Sequence, residues 1–462
     1  MAKLVLVNAG TKYEYGIHEP LHLLGLAAYA KEHGHKVAIA DQIAGEDVFK
    51  KIEKLNPDFV GITATTAVIS DAYDIADWCR KNNFKTILGG VHVSVMPEEA
   101  LEHGDYIVIG EGEDALVSIL DGKEKPGLVK GEYIKDIESL PKIDRDLINF
   151  SFYQKGKDRN PGSHLHFVPR NTKLGSIIAT RGCPYNCIFC HNSWKGLPLR
   201  LNSAKHIINE MKELKEKYGT QAIFFMDDDF LFIKKRVFEF CELYKKEGLD
   251  IIWGCTAGVK SVNKEILEAI KAAGCKQIMF GLESANEEIL KIVKCGATTV
   301  EQNRNAIQLT KEAGIMGTGN FIIGNPGETE EQIMDSKRFI IENNMEGFGV
   351  TISTAFPGTR LWQMCKEKGI VPDKINWREF NTANQTFNLS KVPYERLQEI
   401  WYDFINLSLE RNAQMAPKTL MKVALRRPNK AIKRLIENPK SALVILRRII
   451  GRKKDKEKIS NS

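Results

Sequence analysis

The sequence predicts an α/β protein in three parts: a doubly wound parallel sheet, an incomplete parallel β/α barrel of six units, and a helical extension that turns basic. Three observations predict it. Brief apolar runs alternate with helix-spaced segments over the first 120 residues. A second such series runs from about residue 171 to residue 390. From Arg411 to Ser462 there are 16 Lys or Arg against Glu437, Asp455 and Glu457. The formal net charge of +7 thus divides into +13 in the tail and −6 before it.

The bulk properties bound the function. At 462 residues, 43% hydrophobic and 27% charged, the chain has the balance of a globular protein of two to three domains. No apolar run approaches the roughly 20 residues of a membrane span. The N-terminal Met-Ala-Lys-Leu-Val-Leu-Val lacks the apolar segment of a secretory signal, so a cytoplasmic location is expected. Nine cysteines, an odd number with three crowded into eight residues, argue for a metal site in a reducing compartment rather than a disulfide scaffold.

In residues 1–120, Leu4 to Asn8 is the first strand, and Pro20 to Lys31 has helical spacing with proline where a first turn accepts it. There follow a strand Val37 to Ala40, a helix Glu46 to Leu55, a strand Phe59 to Thr63 and a helix Asp71 to Lys81. The strands Thr86 to Leu88 and Tyr106 to Ile109 complete the series. Short apolar strands each followed by a loop are those of a parallel sheet covered on both faces, here of five strands. Residues 121–170, rich in Gly, Pro, Lys and Asp, read as an irregular connector.

In residues 171–390 the expected strands are Ser176 to Thr180, Ala222 to Met226, Ile251 to Cys255, Gln277 to Gly281, Gly319 to Ile323 and Gly349 to Ser353. A helical segment follows each. Six consecutive units suggest a barrel with chemistry at the C-terminal strand ends, although periodicity alone also admits a second open sheet. Residues 391–462 read as helical, basic after 411.

The strongest chemical signal is Cys183-Pro-Tyr-Asn-Cys187-Ile-Phe-Cys190. Three thiolates on one loop can hold one face of an iron–sulfur cluster. A closed zinc site would need a fourth ligand, and His191 is awkward beside Cys190. C-x3-C-x2-C after a first barrel strand, with Phe189 before the last cysteine, resembles the radical S-adenosylmethionine (SAM) superfamily. The resemblance implies a partial (β/α)6 TIM-type barrel and a [4Fe–4S] cluster on Cys183, Cys187 and Cys190. It also implies SAM on the open iron, cleaved to a 5′-deoxyadenosyl radical by an electron from a donor such as flavodoxin or ferredoxin. On the same resemblance, Asp227, Asp228 and Asp229 close the second strand towards the SAM amino group. Glu283 and Ser284 in Gly-Leu-Glu-Ser bind the ribose and methionyl portions, and Gly324 and Glu328 in Gly-Asn-Pro-Gly-Glu pack the adenine.

Three loops at the C-terminal edge of the first sheet are rich in glycine and hydroxyls: Thr63-Ala-Thr65-Thr66, Gly89-Gly90-Val91-His92 and Gly110-Glu111-Gly112. Ligands bind doubly wound sheets at that edge. Together these segments resemble the Rossmann-like cobalamin-binding domain fused to many radical SAM enzymes, which implies that these loop residues, Ala64 apart, line cobalamin. Histidine-ligating cobalamin domains carry Asp-x-His-x-x-Gly. Here the match is Pro20-Leu-His22-Leu-Leu-Gly25, and without the Asp to orient the ring, cobalt is expected to lack a histidine.

The expected function is therefore that of a cobalamin-dependent radical SAM enzyme, most readily C-methylation of a lipid, isoprenoid or other membrane-associated small molecule. Oxidative cyclisation, as in the anaerobic magnesium-protoporphyrin monomethyl ester cyclase family of the same domain order, is the alternative. A non-enzymatic cobalamin or redox sensor is the reading from another class. Methylthiolation of tRNA is rejected, because only Cys79 precedes Cys183 and an auxiliary cluster needs more. Apolar and basic residues interleave after Ala416, which suits peripheral contact with the anionic inner face of the cell membrane better than nucleic acid.

Overall fold

The side-chain alternation of the first strand decides the architecture of the N-terminal half. In the computed structural model, which describes residues 1–10, 18–155, 165, 168–169, 171–193, 196–380 and 387–415, strand β1 (Lys3–Asn8) is buried along all but its first residue. Successive side chains of a strand point to opposite faces. Accordingly Leu4 and Leu6 enter one core with Leu23, Leu24 and Leu116, whereas Val5 and Val7 enter another with Ile52, Ile69 and Ala76. Helices thus cover both faces of a parallel sheet.

That sheet has six strands, one more than expected: β2 (Lys36–Asp41), β1, β3 (Phe59–Thr63), β4 (Lys85–Gly89), β5 (Tyr106–Ile109) and β6 (Gly127–Lys130), in this spatial order. The added strand lies in the stretch read as irregular. It is an edge strand whose only buried residue is Val129, so it carries no apolar run to detect.

The second sheet contains β7 (Leu174–Ile177), β10 (Ala222–Phe225), β11 (Ile252–Ala257), β12 (Cys275–Glu283), β13 (Met316–Ile323) and β14 (Gly347–Ile352). These strands pair in sequence order and all in parallel, with β7 and β14 at the two edges. This is the six-stranded incomplete barrel the sequence predicts, with helices such as Ala204–Tyr218 and Val300–Glu312 between strands. Ser203 caps the former, and Thr299 with Gln302 forms a reciprocal capping box on the latter. Two features were not anticipated: a short helix Glu287–Val293, and a two-stranded antiparallel pair, β8 (Thr180–Arg181) with β9 (Arg200–Leu201). The pair closes the base of the loop that carries the three cysteines.

The two α/β halves share packing. The core on the Val5 face continues through Ile188 of the cysteine loop into Leu361, Trp362, Trp377, Phe380 and Phe387. Buried Arg145 donates to Glu19, to the Ser176 carbonyl in β7 and to Glu210, and Glu19 in turn accepts from the Ser176 amide. By contact the chain divides into units Met1–Leu397 and Gln398–Ser462; helix Tyr394–Met415 runs into the second. The expectations for residues 416–462 lie outside the described residues. No helix among the described residues is long and apolar enough to cross a membrane.

Candidate active site

The cysteine loop follows β8 directly. Gly182 takes a φ of +110°, which frees the chain to leave the strand at a sharp angle. The Asn192 side chain donates to the Cys183 carbonyl at 2.7 Å, and the Cys190 amide to the Cys187 carbonyl at 3.3 Å. The Ile188 amide bonds the Val293 carbonyl at 3.0 Å, pinning the loop to the barrel. Protein crowded around the sulfurs pushes Cys187 up to about 11 and Cys190 up to about 12; Cys183 is raised as well, and Asp228 adds to the effect at Cys183 and Cys190. Thiols so placed become good ligands when bound metal supplies the positive charge that stabilises their thiolates. Among the described residues no three His, Cys, Asp or Glu side chains stand close enough to hold a single ion. A cluster whose irons each take one thiolate does not require that.

The three aspartates after β10 serve different ends. Buried Asp227 accepts from the Ala179 amide through both oxygens at 3.2 Å, and burial raises its carboxyl to about 6. Asp229 accepts from Ser261 Oγ at 2.7 Å through Oδ2, while its buried Oδ1 has no partner among the described residues. Asp228 is exposed and makes no hydrogen bond or ion pair among the described residues, yet surrounding protein raises its carboxyl. A group reached by water but enclosed by protein lines a cleft, and this one is felt by Cys183 and Cys190.

Glu283 ends β12 at a register shift, with a φ of +62° that non-glycine residues rarely adopt. It is buried, raised by that burial, and faces Lys294 Nζ at 3.6 Å; Lys294 also donates to the Gly281 carbonyl. Ser284 is fully buried, and its Oγ accepts from the Asn286 amide. At the end of β13, Gly324 has a φ of +79°. Glu328 Oε2 accepts from the amide and side chain of Asn325, while its Oε1 and the Asn325 Oδ1 are buried without partners among the described residues. The Glu328 carboxyl is raised to about 7 by burial. Thr329 with Gln332, and not Glu328, caps the following helix. Phe189 packs half-buried against the shared core.

Sequence reasoning missed Lys294 and Tyr185. Lys294 stands 11 positions after Glu283, across the unanticipated helix. Tyr185 lies inside the cysteine motif, and the charges of Cys183, Cys187 and Asp229 all bear on its hydroxyl. Unpartnered buried oxygens at the C-terminal ends of β10 and β13, two strands of the sheet whose first strand leads into the cysteine loop, suit a polar cofactor with amino, carboxylate and ribose groups.

At the edge of the first sheet, Thr65 and Gly110 are exposed, and Thr63, Gly89, Gly90, Val91 and Gly112 are half-buried. The other side chains there are committed inward. His92, fully buried, meets Thr66 Oγ1 at 3.0 Å and Glu99 Oε1 at 3.4 Å, and Glu99 also accepts from Trp377. Glu111 accepts two hydrogen bonds from Arg200 and one from the Ile134 amide. Burial opposes its ionisation, but Arg200 and Arg181 hold the carboxyl below its usual range. What this edge offers a large ligand is backbone and small side chains. His22 is exposed at the start of its helix, and the protein around it pushes its imidazole down to about 4.

Residues 177–340 match the radical SAM superfamily and residues 11–120 the B12 binding domain. The chain is 32% identical over 401 residues to an uncharacterized methyltransferase of Pyrococcus horikoshii, across 82% of this chain and 85% of that one. It is 28% identical to the bacteriochlorophyllide d C-8(2)-methyltransferase of Chlorobaculum tepidum, across 71% and 72%. To the anaerobic magnesium-protoporphyrin IX monomethyl ester cyclase of Cereibacter sphaeroides it is 28% identical, across 72% and 57%. In fold it is similar to the cobalamin-dependent radical enzyme OxsB with aqua-cobalamin and SAM bound, at a TM-score of 0.70 and 17% identity over 95% of this chain and 71% of that one. The methyltransferase TsrM of Kitasatospora setae, with cobalamin and a [4Fe–4S] cluster, gives 0.62 and 19% over 79% and 75%. The chain therefore belongs to the cobalamin-dependent radical SAM methyltransferase family, as an enzyme whose radical SAM domain calls for a [4Fe–4S] cluster and SAM and whose B12-binding domain calls for cobalamin.

Proposed function

We propose that this enzyme methylates an unactivated carbon of a membrane-associated small molecule, a lipid or isoprenoid. The observation that carries the two-cofactor reading is the direct tie between the two ligand edges. Glu111 and Glu113, after β5, pair with Arg200 and Arg181 at the base of the cysteine loop. Bound at these edges, the cluster with SAM supplies a hydrogen-abstracting radical and cobalamin a methyl carrier.

The chain's own residues bind and orient. Cys183, Cys187 and Cys190 hold the cluster. Asp228, with its free carboxylate, faces the SAM amino group; Glu283, oriented by Lys294, and Ser284 face its ribose and methionyl portions; Gly324 and the Glu328 turn pack the adenine. Phe189 keeps the loop seated on the core. Asp227 and Asp229 shape the strand end, the latter offering one free oxygen. Thr63, Thr65, Gly89, Gly90, Val91, Gly110 and Gly112 present cobalamin with backbone and hydroxyls, while Thr66, His92 and Glu111 brace the loops from behind. His22, with proline where an orienting Asp would stand, would not serve as a ligand to cobalt. An electron donor such as flavodoxin or ferredoxin is required.

The lipid class is supported by the +13 charge from Arg411 onward and by a relative named hopanoid C-3 methylase from Methylococcus capsulatus, 24% identical over 74% of this chain. Relatives named as cyclases support a second reading, oxidative ring closure. The test is anaerobic incubation of the reconstituted enzyme with methyl-labelled SAM and a cell lipid extract. The expected result is 5′-deoxyadenosine together with labelled lipid. Mass-shifted lipid without label supports the cyclase, and absence of 5′-deoxyadenosine overturns both.

A further inference from the structure

Strands β8 and β9 join neither large sheet, so the base of the cysteine loop is placed by side-chain ties rather than by a β-ladder. Four side chains that tie it to the other half of the molecule stand out. Arg200 donates to both oxygens of Glu111, at 2.9 and 2.7 Å, in the bidentate geometry that fixes direction as well as distance. Arg181 donates to Glu113 at 2.5 Å and lies 3.5 Å from Glu111. Arg200 is further held by the Ile134 carbonyl at 2.6 Å and stacks 4.0 Å above the Tyr133 ring. The Glu111 loop is itself seated on the connector, where a Cβ at Gly131 would stand 1.7 Å from the Glu111 carbonyl oxygen. Two carboxylates and two guanidiniums, mostly shielded from water, form a neutral set. Removing one partner of such a pair leaves a buried charge uncompensated, so the four groups are held to one another.

We propose that Glu111, Glu113, Arg181 and Arg200 are positioning residues: a clamp that sets the cysteine loop against the proposed cobalamin edge and transmits occupancy of that edge to the loop. Arg181 precedes Gly182 and Cys183 directly, so a shift at Glu113 is passed to the first cluster ligand within two residues. The transmission half of the proposal rests on the cobalamin reading; the clamp half does not.

The experiment is hydrogen exchange of the full chain, compared with the E111Q/E113Q variant, first without cofactors and then with hydroxocobalamin. Without cofactors, the variant should exchange about tenfold faster at residues 182–193, with helix Val300–Glu312 unchanged. With hydroxocobalamin, the unaltered chain should gain protection at both 110–113 and 182–193, and the variant at 110–113 alone. Unchanged exchange at 182–193 in the cofactor-free variant overturns the clamp. Equal protection of 182–193 in both proteins overturns the transmission. If the unaltered chain retains no cobalamin, the cobalamin reading and the transmission with it fall, and the cofactor-free comparison still decides the clamp. Should the double variant fail to fold, E113Q alone, which leaves the Glu111–Arg200 pair intact, is expected to loosen 182–190; no change there rejects the role of Glu113.

Discussion

Glu328 shows how a single carboxyl can report on the site before any cofactor is added. Its folded pKa, about 7, is raised above its ordinary 4.5 by burial. A carboxyl raised on folding stabilises the native state fully below its unfolded pKa, and that contribution is lost as pH rises through the folded value. Glu328→Gln imitates the protonated form. The variant's melting temperature should therefore fall less than that of the unaltered chain between about pH 5 and pH 8. Parallel curves would mean that Glu328 is not protonated in the folded chain. The thiols give a second prediction. Cys→Ala at 183, 187 or 190 should abolish an iron content of about four per chain, whereas Cys79, Cys241 and Cys365 variants should retain it. Iron analysis with electron paramagnetic resonance checks this. Those three controls are buried in the apolar interior and lie outside the motif in sequence.

Loops and short strands divide what the sequence reveals from what it hides. Every expected strand and helix of the barrel is present, because long amphipathic segments such as Ala204–Tyr218 carry their periodicity and caps locally. β6 and the β8–β9 pair carry no such signal; β6 buries one residue of four and β8 and β9 are two residues each, too little for an apolar run. The cysteine motif was legible because its ligands are neighbours in sequence. The inward commitment of His92 and Glu111 was not, because Trp377 and Arg200, which complete those networks, lie 285 and 89 positions away. The glycines expected to admit a flat cofactor illustrate the same limit. Gly90 has a φ of +101°, and a Cβ there would stand 2.7 Å from Thr63 Oγ1 and 2.8 Å from the Ala64 carbonyl. Its lack of a side chain serves loop-on-loop packing. Gly90→Ala should destabilise the fold by about 2 kcal/mol or more in urea titration, with cobalamin absent. A loss confined to cobalamin affinity would instead mean that the missing side chain, and not only the Gly90 backbone, makes room for the ligand.

At the scale of the whole molecule, charge and cofactor placement are each testable. If the residues after Met415 meet a membrane, each Lys or Arg close to an anionic surface contributes about 1 kcal/mol, weakened by salt. Vesicles of anionic lipid should co-sediment the full chain more than a chain ending at Met415, and less of it at high salt. Equal sedimentation removes the charge argument for a lipid substrate. His22→Ala should leave the visible spectrum of bound cobalamin unaltered, since proline stands where the orienting Asp of histidine-ligating domains would be. A change from a histidine-on to a histidine-off spectrum would make His22 a ligand.

The shared core has a consequence for how such proteins can be recombined. Trp362, Trp377, Phe380 and Phe387 come after the last barrel strand, β14, yet they complete the hydrophobic interior beneath Val5, Ile62 and Ile69. The portable piece is therefore not the linear segment that ends near residue 120. Grafting that segment onto another barrel would leave its inner face bare and the donor's aromatic residues without a partner. A chimera designed at the junction should aggregate unless residues 355–389 travel with it, and a gene duplicated by halves would inherit two broken interiors rather than two modules.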